Sequence, residues 1–151
     1  MKKKVAVFSA VVAAVFSISM LLIAQQSPVG TWKTVDDETG KEKSWIQITE
    51  RDGKLYGTIV KLLTEPNDGK DKLCTKCKGS FKDKNIVGMT NMWGLKHGDG
   101  NVWDGGNIMD PNNGKTYRCL IELQDGGNKL RVRGFMGFSF IGRNQFWHRV
   151  K

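Results

Sequence analysis

Three groups of side chains in this sequence could do chemistry. Cys74 and Cys77 bracket two residues in Cys74-Thr75-Lys76-Cys77. Asp104 and Asp110 lie close together in a Gly-rich stretch, and Arg133 and Arg143 are guanidinium groups set among apolar residues. The histidines are His97 and His148. A disulfide is the default for a cysteine pair in an exported chain, and a two-residue gap permits one where the loop turns tightly. A thioredoxin-type redox pair would want its first cysteine at a helix N-terminus in a βαβ setting, and no such pattern surrounds Cys74. Zinc would want a second cysteine pair or clustered histidines, and the sequence has neither. Free thiols, or a bridge from Cys119 to one of the pair, remain open. Cys119 alternates with Tyr117 and Ile121 on one strand face, which favours a buried free thiol.

Nucleophilic and acid–base chemistry finds little support. Ser80 and Ser139 lack motif context, and no G-x-S-x-G elbow occurs. Asp110 precedes Pro111 and reads as a turn cap rather than half of a carboxylate pair with Asp104. No catalytic residue, metal ligand or cofactor is assigned, and the chain is expected not to be an enzyme. The binding candidates are aromatic and basic: Trp93, Trp103, Tyr117 and Phe135, with Phe140 beside them, and Arg133 and Arg143. They describe an apolar pocket with an Arg to anchor a carboxylate or phosphate headgroup. The competing reading makes the aromatics core and turns the Arg residues to water. Gly57, Gly88, Gly106 and Gly134 would either leave space inside or let the walls collapse inward.

These residues need a scaffold. The chain has 151 residues, enough for one domain with its own core. Charged residues make up 26% and hydrophobic ones 39%, which argues for a globular fold. Gly is abundant, at 18, and Pro scarce, at 3, which suits many tight turns between strands. Residues 1–24 stand apart: Lys2-Lys3-Lys4, then an apolar run to Ala24, read as a signal peptide or an uncleaved anchor. Without those three lysines the formal charge falls from +9 to +6. The remaining cations are scattered and accompany no nucleic-acid motif, so no nucleic-acid partner is expected. The membrane is expected to be touched only through the N-terminal segment, if that is retained.

The remainder, 25–151, alternates repeatedly between apolar and polar residues. Ile46 and Ile48 share a face, as do Tyr117, Cys119, Ile121 and Leu123. Arg51-Asp52-Gly53-Lys54 is a strong hairpin signal. Thr64 to Asp83 reads as one long loop with a turn of helix. Asn85 to Met89 reads as the start of a strand, and Phe138 to Ile141 as another. About eight to ten short strands without a helical period favour an antiparallel up-and-down barrel or a sandwich.

At Gly30-Thr31-Trp32-Lys33 the chain resembles the calycins, which include the lipocalins. That resemblance implies that Trp32 plugs one end of a barrel, that Gly30 lets the backbone pass beneath it and that Arg149 of the last strand lies over the indole. Over the whole exported part, six segments resemble the bacterial exported family named domain of unknown function 2147. They are Gly30-x-Trp32, Gly53-Lys54-Leu55-Tyr56-Gly57, Cys74-x-x-Cys77-x-Gly79, Gly105-Gly106 to Tyr117, Leu130-x-Val132-Arg133-Gly134 and Gly142-Arg143 to Trp147-x-Arg149. The resemblance implies a lipocalin-like barrel exported from a bacterium and brings no activity; the periplasm is the expected location. The expected function is binding of a small apolar or amphipathic ligand. The alternative is a filled barrel serving as a protein-interaction or envelope-maintenance module.

Overall fold

The computed structural model describes residues 26–151, so the signal-peptide reading of 1–24 lies outside the described residues. Eight antiparallel strands follow one another around a closed barrel: β1 (Gly30–Val35), β2 (Glu42–Arg51), β3 (Lys54–Leu62), β4 (Thr90–His97), β5 (Val102–Asp110), β6 (Lys115–Gln124), β7 (Lys129–Phe135) and β8 (Gly142–Arg149). Each strand pairs with its sequence neighbour, and β1 pairs with β8 through Trp32↔Arg149 and Lys33↔His148. That last pairing removes the two edges an open sheet would leave. Among the described residues no helix is long and apolar enough to cross a membrane.

The two-residue alternation makes this sheet. One parity of each strand points inward, giving Ile46 and Ile48, Leu55 and Ile59, Cys119, Ile121 and Leu123, and Leu130 and Val132. Trp32 and Trp147, the largest of the fully buried side chains, sit on the paired strands β1 and β8. Asp52 and Gly53 both take positive φ, 52° and 68°, as a tight primed turn requires, and set the register Arg51↔Lys54.

Connectivity places the ends of the barrel. The β2–β3, β4–β5 and β6–β7 turns and residues 26–29 lie at one end. The β1–β2, β5–β6 and β7–β8 turns and the long β3–β4 connection lie at the other, which we call the mouth.

Two expected strands are absent. Asn85 makes only an isolated bridge with Leu73, and β4 begins at Thr90. The long loop therefore runs to Met89 and carries two short 3-10 turns, Pro66–Gly69 and Gly79–Phe81. Phe138–Ile141 forms the turn between β7 and β8, closed by a hydrogen bond from the Ile141 N–H to the Phe138 carbonyl. Beyond the bridge to Leu73 and two backbone hydrogen bonds between Gly88–Met89 and Ile59, neither stretch enters a strand ladder, and apolarity alone does not make a strand.

Candidate functional site

The two ends of the barrel are built differently. At the closed end the Arg149 guanidinium lies 4.3 Å over the Trp32 ring. Its Nε donates to the Gly127 carbonyl at 2.7 Å, and its Nη1 and Nη2 donate to the carbonyls of Val29 and Ser27 at 2.8 Å each. The Trp32 indole N–H donates to the Pro28 carbonyl at 2.7 Å. A side chain at position 30 would put its Cβ 2.6 Å from Arg149 Nη1, which is why glycine stands there. Trp103 closes the same end, buried and packed on His97 with ring centroids 4.9 Å apart.

Higher up, glycine lets the walls approach. A Cβ on Gly106 would lie 2.6 Å from the Trp93 carbonyl oxygen and 2.7 Å from the Leu95 nitrogen, both backbone. The β5–β6 register shifts between Trp103 and Gly106, a bulge that bends the strand at Gly105-Gly106. Gly57 is filled over by Met92 and Ile46.

Above this level the interior is open. A cavity of about 670 Å³ occupies the mouth half, within the range of small-molecule sites. Ile46, Ile108, Val132 and Trp147 form its apolar wall, and Thr34, Ser44, Gln145 and Tyr117 supply polar groups. Gly134 lines it too, and a Cβ there would meet only ordinary contacts, the nearest being Tyr117 Cβ at 3.6 Å. The polar groups are largely paired with one another. Thr34 Oγ1 and Ser44 Oγ are 2.8 Å apart across the β1–β2 pair, the Trp147 indole N–H donates to Gln145 Oε1 at 3.2 Å, and Asn113 Nδ2 donates to the Tyr117 hydroxyl at 3.0 Å. Asn91 is buried, and its Nδ2 donates to the Met109 carbonyl at 3.1 Å.

Charge at the rim is balanced in pairs. Asp36 takes Lys43 at 3.1 Å, and Glu65 takes Lys72 at 3.2 Å. Asp37 holds Arg143 through a two-point contact, with Nε at 2.7 Å, and Glu38 stands 3.8 Å away. The Thr39 hydroxyl and backbone N–H, together with Lys43, hold the Asp36 carboxyl well below the usual range. Arg143 does the same for Asp37.

The long β3–β4 connection walls one side of the mouth. Cys74 and Cys77 are joined in a disulfide, with Cα atoms 5.3 Å apart, and both are buried. Cys77 Sγ lies 3.5 Å from Met109 Sδ. The loop presses so closely on the β5–β6 turn that a Cβ at Gly114 would fall 1.9 Å from the Lys76 carbonyl oxygen. Ile86 and Lys72 of this loop line the cavity. Cys119 is a buried free thiol, its pKa pushed up to about 12 by burial.

The sequence-derived binding residues do not assemble in one place. Tyr117, Phe135 and Arg143 line the cavity. Trp103 belongs to the closed end. Trp93 faces the outer surface, where it packs on Phe81 at 6.1 Å, because its neighbour Met92 takes the inward position opposite Gly57. Arg133 also points outward, between inward Val132 and Gly134, and donates to Asn144 Oδ1 at 2.9 Å and to the Ser139 carbonyl. Gly88 lies in the long loop rather than on a strand. Reasoning from the sequence missed Trp147, Thr34, Ser44 and Gln145. Strand parity could have found them, since Thr34 follows Trp32 and Ser44 precedes Ile46 at inward spacing.

A scan of curated proteins returns no match. Among solved structures the chain is similar to the protein HP1028 of the human pathogen Helicobacter pylori, described as belonging to the lipocalin family. The two share 18% identity with a TM-score of 0.71 over 83% of this chain and 84% of that one. At that identity the likeness shows the fold: a lipocalin-like barrel. The family model for an uncharacterized protein conserved in bacteria, domain of unknown function 2147, matches residues 30–149, and the chain belongs to that family.

Proposed function

We propose that this chain is an exported, non-enzymatic binding protein that carries a small apolar or amphipathic ligand in the mouth half of its barrel. The observation that carries this reading is the 670 Å³ cavity above a filled, sealed lower half. An eight-stranded barrel is just wide enough to be filled by side chains or to hold one ligand. Here the lower half takes the first course and the upper half the second. A filled interaction module is less well supported, because Gly134, Thr34 and Ser44 stand where large side chains would close the space.

The lining narrows the ligand. The cations at the rim, Lys43, Lys72 and Arg143, already have carboxylate partners. An anionic headgroup would have to displace them. The wall instead favours an apolar body with an uncharged polar end that can exchange hydrogen bonds with Thr34, Ser44, Gln145 or Tyr117. The histidines lie away from this space: His97 stacks on Trp103 at the closed end and His148 is exposed on β8. The reading therefore assigns no catalytic step. It places the protein in the periplasm on the strength of the N-terminal segment.

Native mass spectrometry of protein purified from its host tests this. A co-purified mass of lipid-like size, released on denaturation, is the expected result. Protein that carries no added mass, and takes up none when offered fatty alcohols and fatty acids, would overturn it.

A further inference from the structure

The β7–β8 turn, Met136-Gly137-Phe138-Ser139-Phe140-Ile141, is unlike the rest of the surface. Met136 and Ile141 are each 61% exposed, Phe138 69% and Phe140 77%. Among the described residues the other exposed large apolar side chains, such as Val60, Leu73 and Phe146, are scattered and no more than 44% exposed. The Phe138 and Phe140 rings stack on each other, centroids 5.4 Å apart, rather than fold onto the barrel. Such a cluster on a monomer marks a surface that another phase or partner covers. It sits at the mouth, and Met136 and Ile141 also line the cavity.

The wall beneath it is basic. The outward positions of β6 and β7 nearest the turn carry Arg118 and Arg133, neither with a carboxylate partner among the described residues, while further down Glu122 holds Arg131 at 2.6 Å and Lys129 lies at the closed end. Arg133 sits at the base of the turn, bonded to the uncharged Ser139 carbonyl and Asn144. The acids of the β1–β2 turn, Asp36, Asp37 and Glu38, face Lys43 and Arg143. An apolar tip above uncompensated cations matches the interface of an anionic bilayer: acyl chains for the tip and phosphates for the guanidinium groups.

We propose that the Met136–Ile141 turn docks the barrel on an anionic lipid bilayer, burying Phe138 and Phe140 at the headgroup–acyl boundary and setting the cavity mouth against the membrane. This goes beyond the ligand reading and stands without it. Basic residues elsewhere contribute attraction, and the turn supplies insertion.

The test uses the chain as its host exports it, with an environment-sensitive fluorophore on Ser139→Cys; buried Cys119 stays unlabelled. Vesicles of phosphatidylglycerol mixed with phosphatidylcholine should shift the emission to the blue and carry the protein down on sedimentation. Both effects should weaken in salt and in pure phosphatidylcholine. The double variant Phe138→Ser/Phe140→Ser alters exposed side chains and should keep the parent's circular dichroism while partitioning on the order of tenfold more weakly. An unshifted label on sedimented protein would assign binding to another segment and overturn the proposal. So would a double variant that partitions like the parent, absence of vesicle binding, or a parent dimer that the double variant dissolves, since the turn would then be covered by a second copy.

Discussion

The lower and upper halves of this barrel are made of the same strands and the same alternation, yet one is solid and the other hollow. In the lower half Trp32, Trp103, Leu55, Leu95 and Leu130 fill the section, and Gly106 brings β5 onto the backbone of β4. In the upper half the inward positions carry Thr34 and Ser44 on β1 and β2 and Tyr117, Gly134 and Gln145 on β6, β7 and β8. Gly106 and Gly134 show the difference most plainly. A methyl group at Gly106 would strike backbone at 2.6 Å, whereas one at Gly134 would meet ordinary contacts and then open space. The same residue type closes one half and clears the other, and the neighbours decide which.

The comparison can be broken at several points. The largest effect belongs to the closed end: Trp32→Ala should cost roughly 3–5 kcal/mol in chemical denaturation, the range for a fully buried aromatic. A variant that unfolds at the parent's denaturant midpoint would contradict the closure role of Trp32 and Arg149. Next, Gly106→Ala should cost about 1–3 kcal/mol by overpacking against backbone that cannot step aside. If instead it leaves the melting curve unchanged, the walls are not in contact there. The smallest effect is at the rim. Asp36 and Asp37 have folded pKa values below their unfolded ones, so their contribution is present above about pH 4 and is lost as the pH falls further. Asp37 is exposed and Asp36 half-buried at the rim, and the loss should be slight. An Asp36→Asn variant should flatten that part of the pH–stability profile, and a profile identical to the parent's would show that the Lys43 and Thr39 contacts contribute nothing.

The closed half was legible in the sequence because its signals are local or sit at the chain ends. Gly30-x-Trp32 and Arg149 are distinctive types whose meeting follows once the barrel closes, and the turn at Asp52-Gly53 is set by two adjacent residues. The hollow half was less legible because a cavity is written in what is missing. Thr34 and Ser44 look like ordinary strand residues until register sets them opposite each other. Large aromatics drew attention to Trp93 and Trp103, but strand parity sent the first outside and its place at the start of β5 set the second at the closed end. Parity likewise sent Arg133 outward. The apolar turn at Phe138–Ile141 resembled a strand because composition does not report pairing.

The direct test of a solid lower half and a receptive upper half is to fill the upper one. Gly134→Leu extends a side chain into the cavity from a position whose backbone tolerates a Cβ. Binding of the apolar fluorophore N-phenyl-1-naphthylamine, titrated against parent and variant of matched thermal stability, should weaken on the order of tenfold or more in the variant, since the added group takes the ligand's place. Equal affinity in the two proteins would contradict the account and put any bound molecule somewhere other than the barrel.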